Sequence, residues 1–194
     1  MKKTATRKEE SHERIVRAAA RAIRKHGYER LGVAQVMKEA GLTHGGFYAH
    51  FDSRDALLAE AADQAGAESI ENLSRAVAAA KPGGELAALV DSYLSDRHLH
   101  APELGQGCAV AASGSEVPRQ PPQVRRATTR RIKDLIGLVE RQMPGWGKAG
   151  NRDKAMAILG CLVGTLLIAR SVDNPELSKA MRRAARQFLR DAAG

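Results

Sequence analysis

The sequence predicts an all-α fold, and three observations support this. Alanine, leucine and arginine are abundant while aromatic residues make up only 4% of the chain, which favours helices over sheets. Apolar residues recur at i, i+3, i+4 and i+7 in most segments, as on the buried face of a helix. Short stretches rich in proline and glycine separate those segments. Together they predict about nine helices and no strand.

The first predicted helix follows a polar, basic tail over residues 1–10, which either adds phosphate contacts or remains solvated. Ser11 is the predicted N-cap, and Gly27 ends the helix. Tyr28 and Leu31 then turn inward. The predicted core positions of this helix are Ile15, Ala18, Ala19, Ala22 and Ile23. Its predicted polar side consists of Arg14, Arg17, Arg21, Arg24 and Lys25.

Residues 33–51, VAQVMKEAGLTHGGFYAHF, predict two short helices joined by a turn at Gly41, which can adopt a positive φ. Leu42 points back to the core, and Thr43 is the predicted N-cap of the second helix. The core side of the first helix consists of Val33, Val36, Met37 and Ala40, and that of the second of Phe47 and Phe51. This pattern is typical of a helix-turn-helix, whose second helix lies in the DNA major groove.

Two adjacent glycines, Gly45 and Gly46, lie in this second helix although glycine is a poor helix former. A glycine removes side-chain bulk where a helix must press against the backbone of another molecule. The outward face of the helix is therefore predicted to meet DNA.

Residues 14–58, from RIVRAAARAIRKHGYERLG to SRDALL, closely resemble the DNA-binding domain of TetR/AcrR-type transcriptional regulators. The run AGLTHGGFYAHF is the most specific part, because its glycine, aromatic and histidine positions match in order. One departure is Arg54, where the family often has lysine. The remainder of the chain matches only in helical layout, and more loosely in the stretches GCAVAASGSEV and VGTLLIARSVDNPELS.

The predicted DNA contacts follow from this placement. Thr43, His44 and Gly45 open the recognition helix, where they meet base edges, and Thr43 also approaches a phosphate. Tyr48 and His50 resemble the phosphate-contacting pair of the family; the alternative is that Tyr48 packs in the core and His50 is merely exposed. Further candidates are Gln35, Lys38, Gly46 and Arg54.

The charge distribution agrees with a DNA-binding N-terminal region. The chain carries a formal net charge of +9, and residues 1–56 hold 12 Lys and Arg against 7 Asp and Glu. No apolar segment follows the charged N-terminus, which predicts no signal peptide. The longest apolar run, residues 155–169, is too short to span a bilayer. Two cysteines make no disulfide framework, so a cytoplasmic location is expected.

Ser53 caps a long predicted helix over residues 54–80, with Asp55 at its positive end, and this helix is a candidate rod between the DNA-binding head and the body. The break at residues 81–84 precedes helices over 85–100 and 123–143, with a weak helical segment at 103–117 between them. The core positions predicted for these helices are Leu57, Leu58, Ala61, Ala65, Ile70, Leu73, Val77, Leu86, Leu89, Val90, Tyr93, Leu94, Val124, Ala127, Ile132, Leu135, Ile136 and Val139.

The last two predicted helices cover residues 152–172, capped by Asn151, and 175–192. The loop before them contains G-x-G-x-x-G, but without a preceding strand it predicts no dinucleotide site. The final helix is expected to place Leu177, Met181, Ala184, Ala185, Phe188 and Leu189 on one face. Because apolar residues surround the other helix, the pair predicts half of an intermolecular four-helix bundle. The predicted dimer residues are Gly160, Leu162, Val163, Gly164, Leu167, Met181 and Phe188.

The resemblance also implies a small-molecule effector pocket in the C-terminal region. Candidate wall residues, each with ordinary core packing as the alternative, are Leu89, Tyr93, Cys108, Ala112, Ile136, Val139 and Leu159. Cys108 is either a buried inert residue or a reactive thiol. His98 and His100, with Glu103 nearby, offer too few converging ligands to predict a metal site, and no cofactor is expected.

The resulting prediction is a DNA-binding domain over residues 1–56 and an effector-binding, dimerisation domain over 57–194. The leading hypothesis is a dimeric repressor that grips a near-palindromic operator in double-stranded DNA and leaves it when an effector binds. The alternative is an activator or architectural protein without a ligand. An enzyme is not expected, because no nucleophile–base pair, metal cluster or phosphate loop is present in the sequence.

Overall fold

The computed structural model describes residues 6–193 and confirms an all-α fold: nine α-helices and three short 3-10 segments, with no strand in that range. The α-helices are α1 (Arg7–His26), α2 (Val33–Glu39), α3 (Arg54–Ala78), α4 (Glu85–Tyr93), α5 (Asp96–Leu99), α6 (Ala109–Ser113), α7 (Pro122–Arg141), α8 (Asn151–Ser171) and α9 (Pro175–Ala193). The 3-10 segments are His44–Ala49, Ala101–Leu104 and Gly114–Arg119.

Helix α1 begins earlier than predicted. Thr6 is the N-cap: its hydroxyl accepts a hydrogen bond from the backbone of Glu9, and the Glu9 carboxylate accepts one from the Thr6 amide. This reciprocal capping box satisfies two otherwise free amides. The prediction of Ser11 as N-cap is wrong, because its hydroxyl instead donates to the carbonyl of Arg7 inside the helix. The predicted tail is thus helical from Arg7, and residues 1–5 lie outside the described residues.

Two hydrophobic cores lie along α3. Its first half packs with α1, α2 and the 3-10 segment after α2 into a core that includes Ile15, Met37, Phe47 and Leu58. Its second half packs with α4, α7, α8 and α9. The predicted cap at Ser53 is confirmed, since its hydroxyl accepts from the amide of Ala56. One continuous helix therefore belongs to both cores. We call the core with α1, α2 and the following 3-10 segment the head and the core with α4, α7, α8 and α9 the body, so α3 joins them as the predicted rod.

Three predicted elements differ after α3. Residues 85–100 divide into α4 and α5, because Ser95 starts a new helix by accepting from the amide of His98. The weak segment at 103–117 contains α6 and parts of two 3-10 segments. Asn151 is the first residue of α8 rather than its cap, and its amide donates to the carbonyls of Pro144 and Gly145, which closes the preceding loop.

Helix α9 buries only part of the apolar face that the sequence predicts: Ala185 and Leu189 are buried, and Met181 is half-buried. Leu177 and Phe188 are exposed, whereas Arg182 is buried beside Leu189. The guanidinium of Arg182 donates to the carbonyl of Leu94 at the end of α4 and to the carboxylate of Asp96. Unpaired carbonyls at a helix end need donors. Because Arg182 supplies such a donor, α9 turns a partly polar side inward and leaves apolar side chains exposed to solvent.

The apolar run at residues 155–169 is predicted to be too short to span a bilayer, but the whole of α8, with 21 residues, is the one helix among the described residues that is long and apolar enough to do so. The exposed apolar side chains of α8 include Met156, Leu167 and Ile168. Core helices of soluble proteins can have the same length and composition. Helix α9 also exposes apolar side chains, Leu177 and Phe188.

Candidate nucleic-acid interface

The turn and short helix after α2 present a polar face outward, as the sequence predicts. Gly41 adopts a φ of +73°, which turns the chain sharply after α2. In the short helix after this turn, Phe47 is buried, whereas the side chain of Tyr48 is 77% exposed. The alternative interpretation of Tyr48 as a core residue is therefore wrong.

The segment His44–Ala49 is a 3-10 helix rather than an α-helix. Thr43 stands at the N-cap position, but its side chain accepts no capping hydrogen bond. Its hydroxyl, together with His44 and Gly45, is exposed at the start of the segment. The residues predicted to meet base edges therefore lie on one open surface.

His50 lies at the end of this surface and is half-buried. Its Nδ1 atom is buried and has no hydrogen-bond partner within residues 6–193. Burial first, and then the nearby His12 and Lys8, lower the pKa of His50 below its ordinary value. His12 in turn stacks on Phe51, with ring centroids 4.5 Å apart, and its Nε2 lies 2.7 Å from the Glu60 carboxylate. His50 is thus partly enclosed by its neighbours, with its ring 6.1 Å from that of His12, rather than merely exposed.

Arg54 already has protein partners. Its Nη2 donates to the carbonyl of Tyr28 at 2.8 Å, and its Nε and Nη2 both reach the carbonyl of Leu31. These bonds tie the start of α3 to the loop between α1 and α2. Arg14 has a similar role that the sequence did not reveal, since its Nε donates to the carbonyl of Ala40 at the end of α2.

Gly45 and Gly46 have no role within the chain that requires glycine. Neither has a positive φ. A Cβ atom at Gly45 would meet nothing within 4 Å, and one at Gly46 would make ordinary contacts with Met37 and Thr43. The fold itself would accept alanine at both positions. Gln35 and Lys38 are exposed on α2, and the amide of Gln35 donates to the Glu39 carboxylate.

Most residues predicted to line an effector pocket are packed core. Leu89, Tyr93 and Val139 are almost completely buried in the body, with Ile136 and Leu159 beside them, and Ala112 is half-buried. Core and pocket positions share the same helical spacing, so spacing alone did not separate them. Of the predicted wall residues only Cys108 borders a cavity, one of about 350 Å³ in the body.

His98 borders the same cavity and is held neutral. Its Nδ1 lies 2.6 Å from the carbonyl of Tyr93, and its Nε2 accepts a hydrogen bond from the amide of Cys108 at 2.9 Å. Burial lowers the pKa of His98 to about 4. The described residues contain no group of three or more His, Cys, Asp or Glu that could hold a metal ion. His100 instead lies 3.2 Å from the Glu103 carboxylate.

The predicted dimer residues lie mainly on the exposed side of α8 and α9. Leu167 and Phe188 are exposed, and a Cβ atom at Gly160 or Gly164 would meet nothing within 4 Å. Val163 and Met181 are half-buried. Leu162 is an exception, because it is fully buried in the core of its own chain.

Polar contacts join the head to the body, and Arg24 and Glu116 each make several of them. Arg24, which the sequence placed on the polar side of α1, is buried; it donates to the carbonyls of Gly105 and Ala65 and pairs with the Glu68 carboxylate. The Glu116 carboxylate accepts from the amides of Tyr28 and Glu29. Glycine at position 27 leaves the space that this carboxylate occupies, because a Cβ atom there would lie 2.1 Å from Oε1 of Glu116.

Comparison with known proteins identifies this arrangement. Residues 15–61 match the family model of the bacterial regulatory proteins of the tetR family. The chain is 31% identical over 170 residues to an uncharacterised HTH-type transcriptional regulator from Mycobacterium tuberculosis, covering 81% of this chain and 83% of that protein. The chain belongs to the TetR family. This TetR-family protein is a DNA-binding transcriptional regulator and not an enzyme.

Solved structures support the fold over nearly the whole length of this TetR-family regulator. A TetR regulator from Chloroflexus aurantiacus superposes with a TM-score of 0.76 at 20% identity, covering 94% of this chain and 95% of that one. A TetR-family regulator from Streptomyces coelicolor, SCO4454, gives a TM-score of 0.72 at 20% identity, covering 95% and 97%. At such identities the likeness extends to the fold alone.

Proposed function

We propose that this TetR-family regulator is a cytoplasmic, dimeric repressor that occupies a near-palindromic operator and leaves it when a small molecule binds in the body. The observation that carries the DNA-binding part is the exposed surface formed by Thr43, His44, Gly45 and Tyr48. Two such surfaces in a dimer, about 34–36 Å apart, match successive major grooves on one side of DNA.

Within this surface we assign base contacts to Thr43, His44 and Gly45, and phosphate contacts to Tyr48 and His50. The exposed hydroxyl of Tyr48 can donate to a phosphate oxygen without moving the core. Lys38 adds charge from α2, and Gly46 lets the backbone approach. Because Arg54 is already bonded to two carbonyls, its proposed contribution is to position the head.

Replacing Tyr48 by alanine is expected to weaken operator binding about tenfold, because one charge-assisted hydrogen bond to phosphate is lost. The probe is a duplex selected by the wild-type protein from a random-sequence library, and binding is measured by fluorescence anisotropy over a salt series. The fold should be unchanged, since this side chain is largely exposed. Binding equal to that of the wild type would remove Tyr48 from the interface.

The dimer proposal rests on an apolar surface that a monomer leaves in water. Met156, Leu167 and Ile168 on α8 and Leu177 and Phe188 on α9 are all exposed large apolar residues. Gly160 and Gly164 on α8 leave room for close approach by another helix. Large exposed apolar patches mark interaction sites, and two helices from each chain would complete a four-helix bundle.

Leu167→Glu is expected to convert the dimer to a monomer of 20.9 kDa, because it buries a charge in the proposed interface. Analytical ultracentrifugation measures the mass. The matched control is Leu104→Glu, since Leu104 is more exposed and lies outside α8 and α9. A wild-type protein that sediments as a monomer, or a Leu167→Glu protein that stays dimeric, would contradict this arrangement.

Release by an effector is supported by the connection between the cavity and α1. Gln106, Gly107 and Cys108 border the cavity. The neighbouring Gly105 accepts a hydrogen bond from Arg24 of α1 at 2.7 Å. A ligand that displaces this loop would therefore shift α1 and the head. The presence of a cavity favours this hypothesis over the alternative of an activator or architectural protein without a ligand.

A further inference from the structure

The cavity of the body lies between α3, the region from the end of α4 through α5, and the loop before α6. Its volume of about 350 Å³ is near the lower end of the range for ligand pockets, roughly 300–1,000 Å³. A cavity of this volume suits a small molecule. The chemistry of the wall narrows its class further.

The charged side chains that border this cavity are both arginines. Arg75 comes from α3 and Arg97 from α5, and neither Asp nor Glu borders the cavity. Among the described residues Arg97 donates no side-chain hydrogen bond, and Arg75 donates only to Asn72. Of the acidic residues near them in sequence, Asp96 pairs with Arg182 and Glu103 with His100. Glu71 lies one turn before Arg75 on α3, and among the described residues it forms no ion pair with either arginine. Arg75 and Arg97, both exposed at the border of the cavity, thus have no ion-pair partner among the described residues.

A third guanidinium adds positive potential behind the wall. Arg170 lies beside Tyr93 and Cys108, and its Nε and Nη2 donate to the carbonyls of Leu99 and His98. It has no carboxylate partner in the described chain, and its Nη1 is buried without a partner. The buried hydroxyl of Tyr93 also lacks one. Uncompensated charge in a partly buried site raises the local concentration of anions.

The remaining wall contains apolar groups. Leu73 and Ala76 of α3, Ala101 and Cys108 border the cavity together with the serine hydroxyls. An inorganic anion would leave these groups without contacts. A molecule with a carboxylate at one end and a small hydrocarbon part at the other can contact both the arginines and the apolar wall. A guanidinium binds a carboxylate with two parallel hydrogen bonds.

We infer that this cavity binds a small organic carboxylate, whose charged end pairs with Arg97 and Arg75 and whose hydrocarbon part packs on Leu73 and Ala101. This inference names the effector class and so rests on the proposed ligand-dependent release. His98 takes no part in holding the charge, because both of its ring nitrogens have backbone partners.

The test uses isothermal titration calorimetry of the full-length protein with benzoate and with the straight-chain carboxylates from butyrate to decanoate. The matching amides and inorganic phosphate are the ligand controls. We expect saturable binding of at least one carboxylate and none of its amide or of phosphate. Arg97→Gln and Arg75→Gln should each weaken binding at least tenfold, whereas Arg183→Gln, at an exposed position on α9, should not.

Equal binding of a carboxylate and its amide, binding of phosphate in place of the carboxylates, or no binding of any carboxylate would overturn the inference. Operator binding is measured in parallel with the selected duplex, since the arginine variants leave the recognition surface intact. Carboxylates that bind through Arg97 but do not release DNA would support the ligand class and contradict effector-dependent release. Release of DNA by a neutral compound, with no carboxylate bound, would support effector-dependent release and contradict the ligand class.

Discussion

Arg24→Met is expected to lower the free energy of unfolding by about 3 kcal/mol, because it breaks a buried ion pair from one side. The guanidinium of Arg24 reaches three partners at once: the carbonyls of Gly105 and Ala65 and the carboxylate of Glu68. Methionine fills much of the same volume but donates nothing. Two carbonyls and a partly buried carboxylate would then lack a donor, and such groups are costly when water cannot replace it.

Chemical denaturation monitored by circular dichroism measures this effect. The matched control is Arg17→Met, also in α1, whose pair with Glu13 is exposed on both sides. Exposed pairs contribute little, so a change below about 0.5 kcal/mol is expected there. Adding Glu68→Gln to Arg24→Met should recover part of the loss, since it removes the unpaired charge. Equal losses for Arg24→Met and Arg17→Met would show that the buried bonds do not stabilise the protein.

The role of Arg24 also shows what helical spacing does not predict. The stripe of Ile15, Ala18, Ala19 and Ile23 was correct because burial of apolar groups repeats with the helical period. Arg24 follows that stripe, yet charge alone placed it in solvent. Its burial depends on two carbonyls from distant parts of the chain, Gly105 and Ala65, and no local pattern reveals them. Arg182 in α9 was missed for the same reason.

The two regions of the protein differ in how much of their structure the sequence determines locally. In the head, Gly41 fixes the turn, and Phe47 and Phe51 fix which side of the next segment is buried. The outward face then follows directly. In the body, a cavity wall and a packed core use the same apolar positions, so Leu89 and Val139 were expected at a pocket that they do not border. The sequence did contain one signal that could have located the cavity: polar residues such as Arg75 lie between the apolar positions of α3.

Substitutions at Gly45 are expected to affect folding and DNA binding in opposite directions. Glycine in a helical segment costs about 0.5–1 kcal/mol relative to alanine, because it loses more conformational freedom on folding. At Gly45 a new Cβ atom would meet open space, and φ is not positive. Gly45→Ala should therefore leave the free energy of unfolding unchanged or raise it. If glycine is required at this position, the requirement must then come from contact with another molecule.

We propose that this outside requirement is close contact with DNA. A methyl group at Gly45 would hold the recognition segment away from the groove and weaken operator binding about tenfold, which is about 1.4 kcal/mol. Gly45→Leu would add more bulk and is expected to weaken binding by more than about 100-fold, since several contacts made by neighbouring residues would be lost together. Anisotropy with the selected duplex measures binding, and thermal denaturation measures the fold.

Ala78→Leu is the matched control for added bulk, because Ala78 is exposed at the far end of α3, about 35 Å along the helix from its first turn. This variant should bind DNA as the wild type does. If Gly45→Leu lost binding together with stability, the glycine would be required by the fold, contrary to the open space around it. If it bound DNA normally, the segment His44–Ala49 would not lie against the groove. A retained fold with lost binding is the one combination expected if glycine is present for the sake of a second molecule.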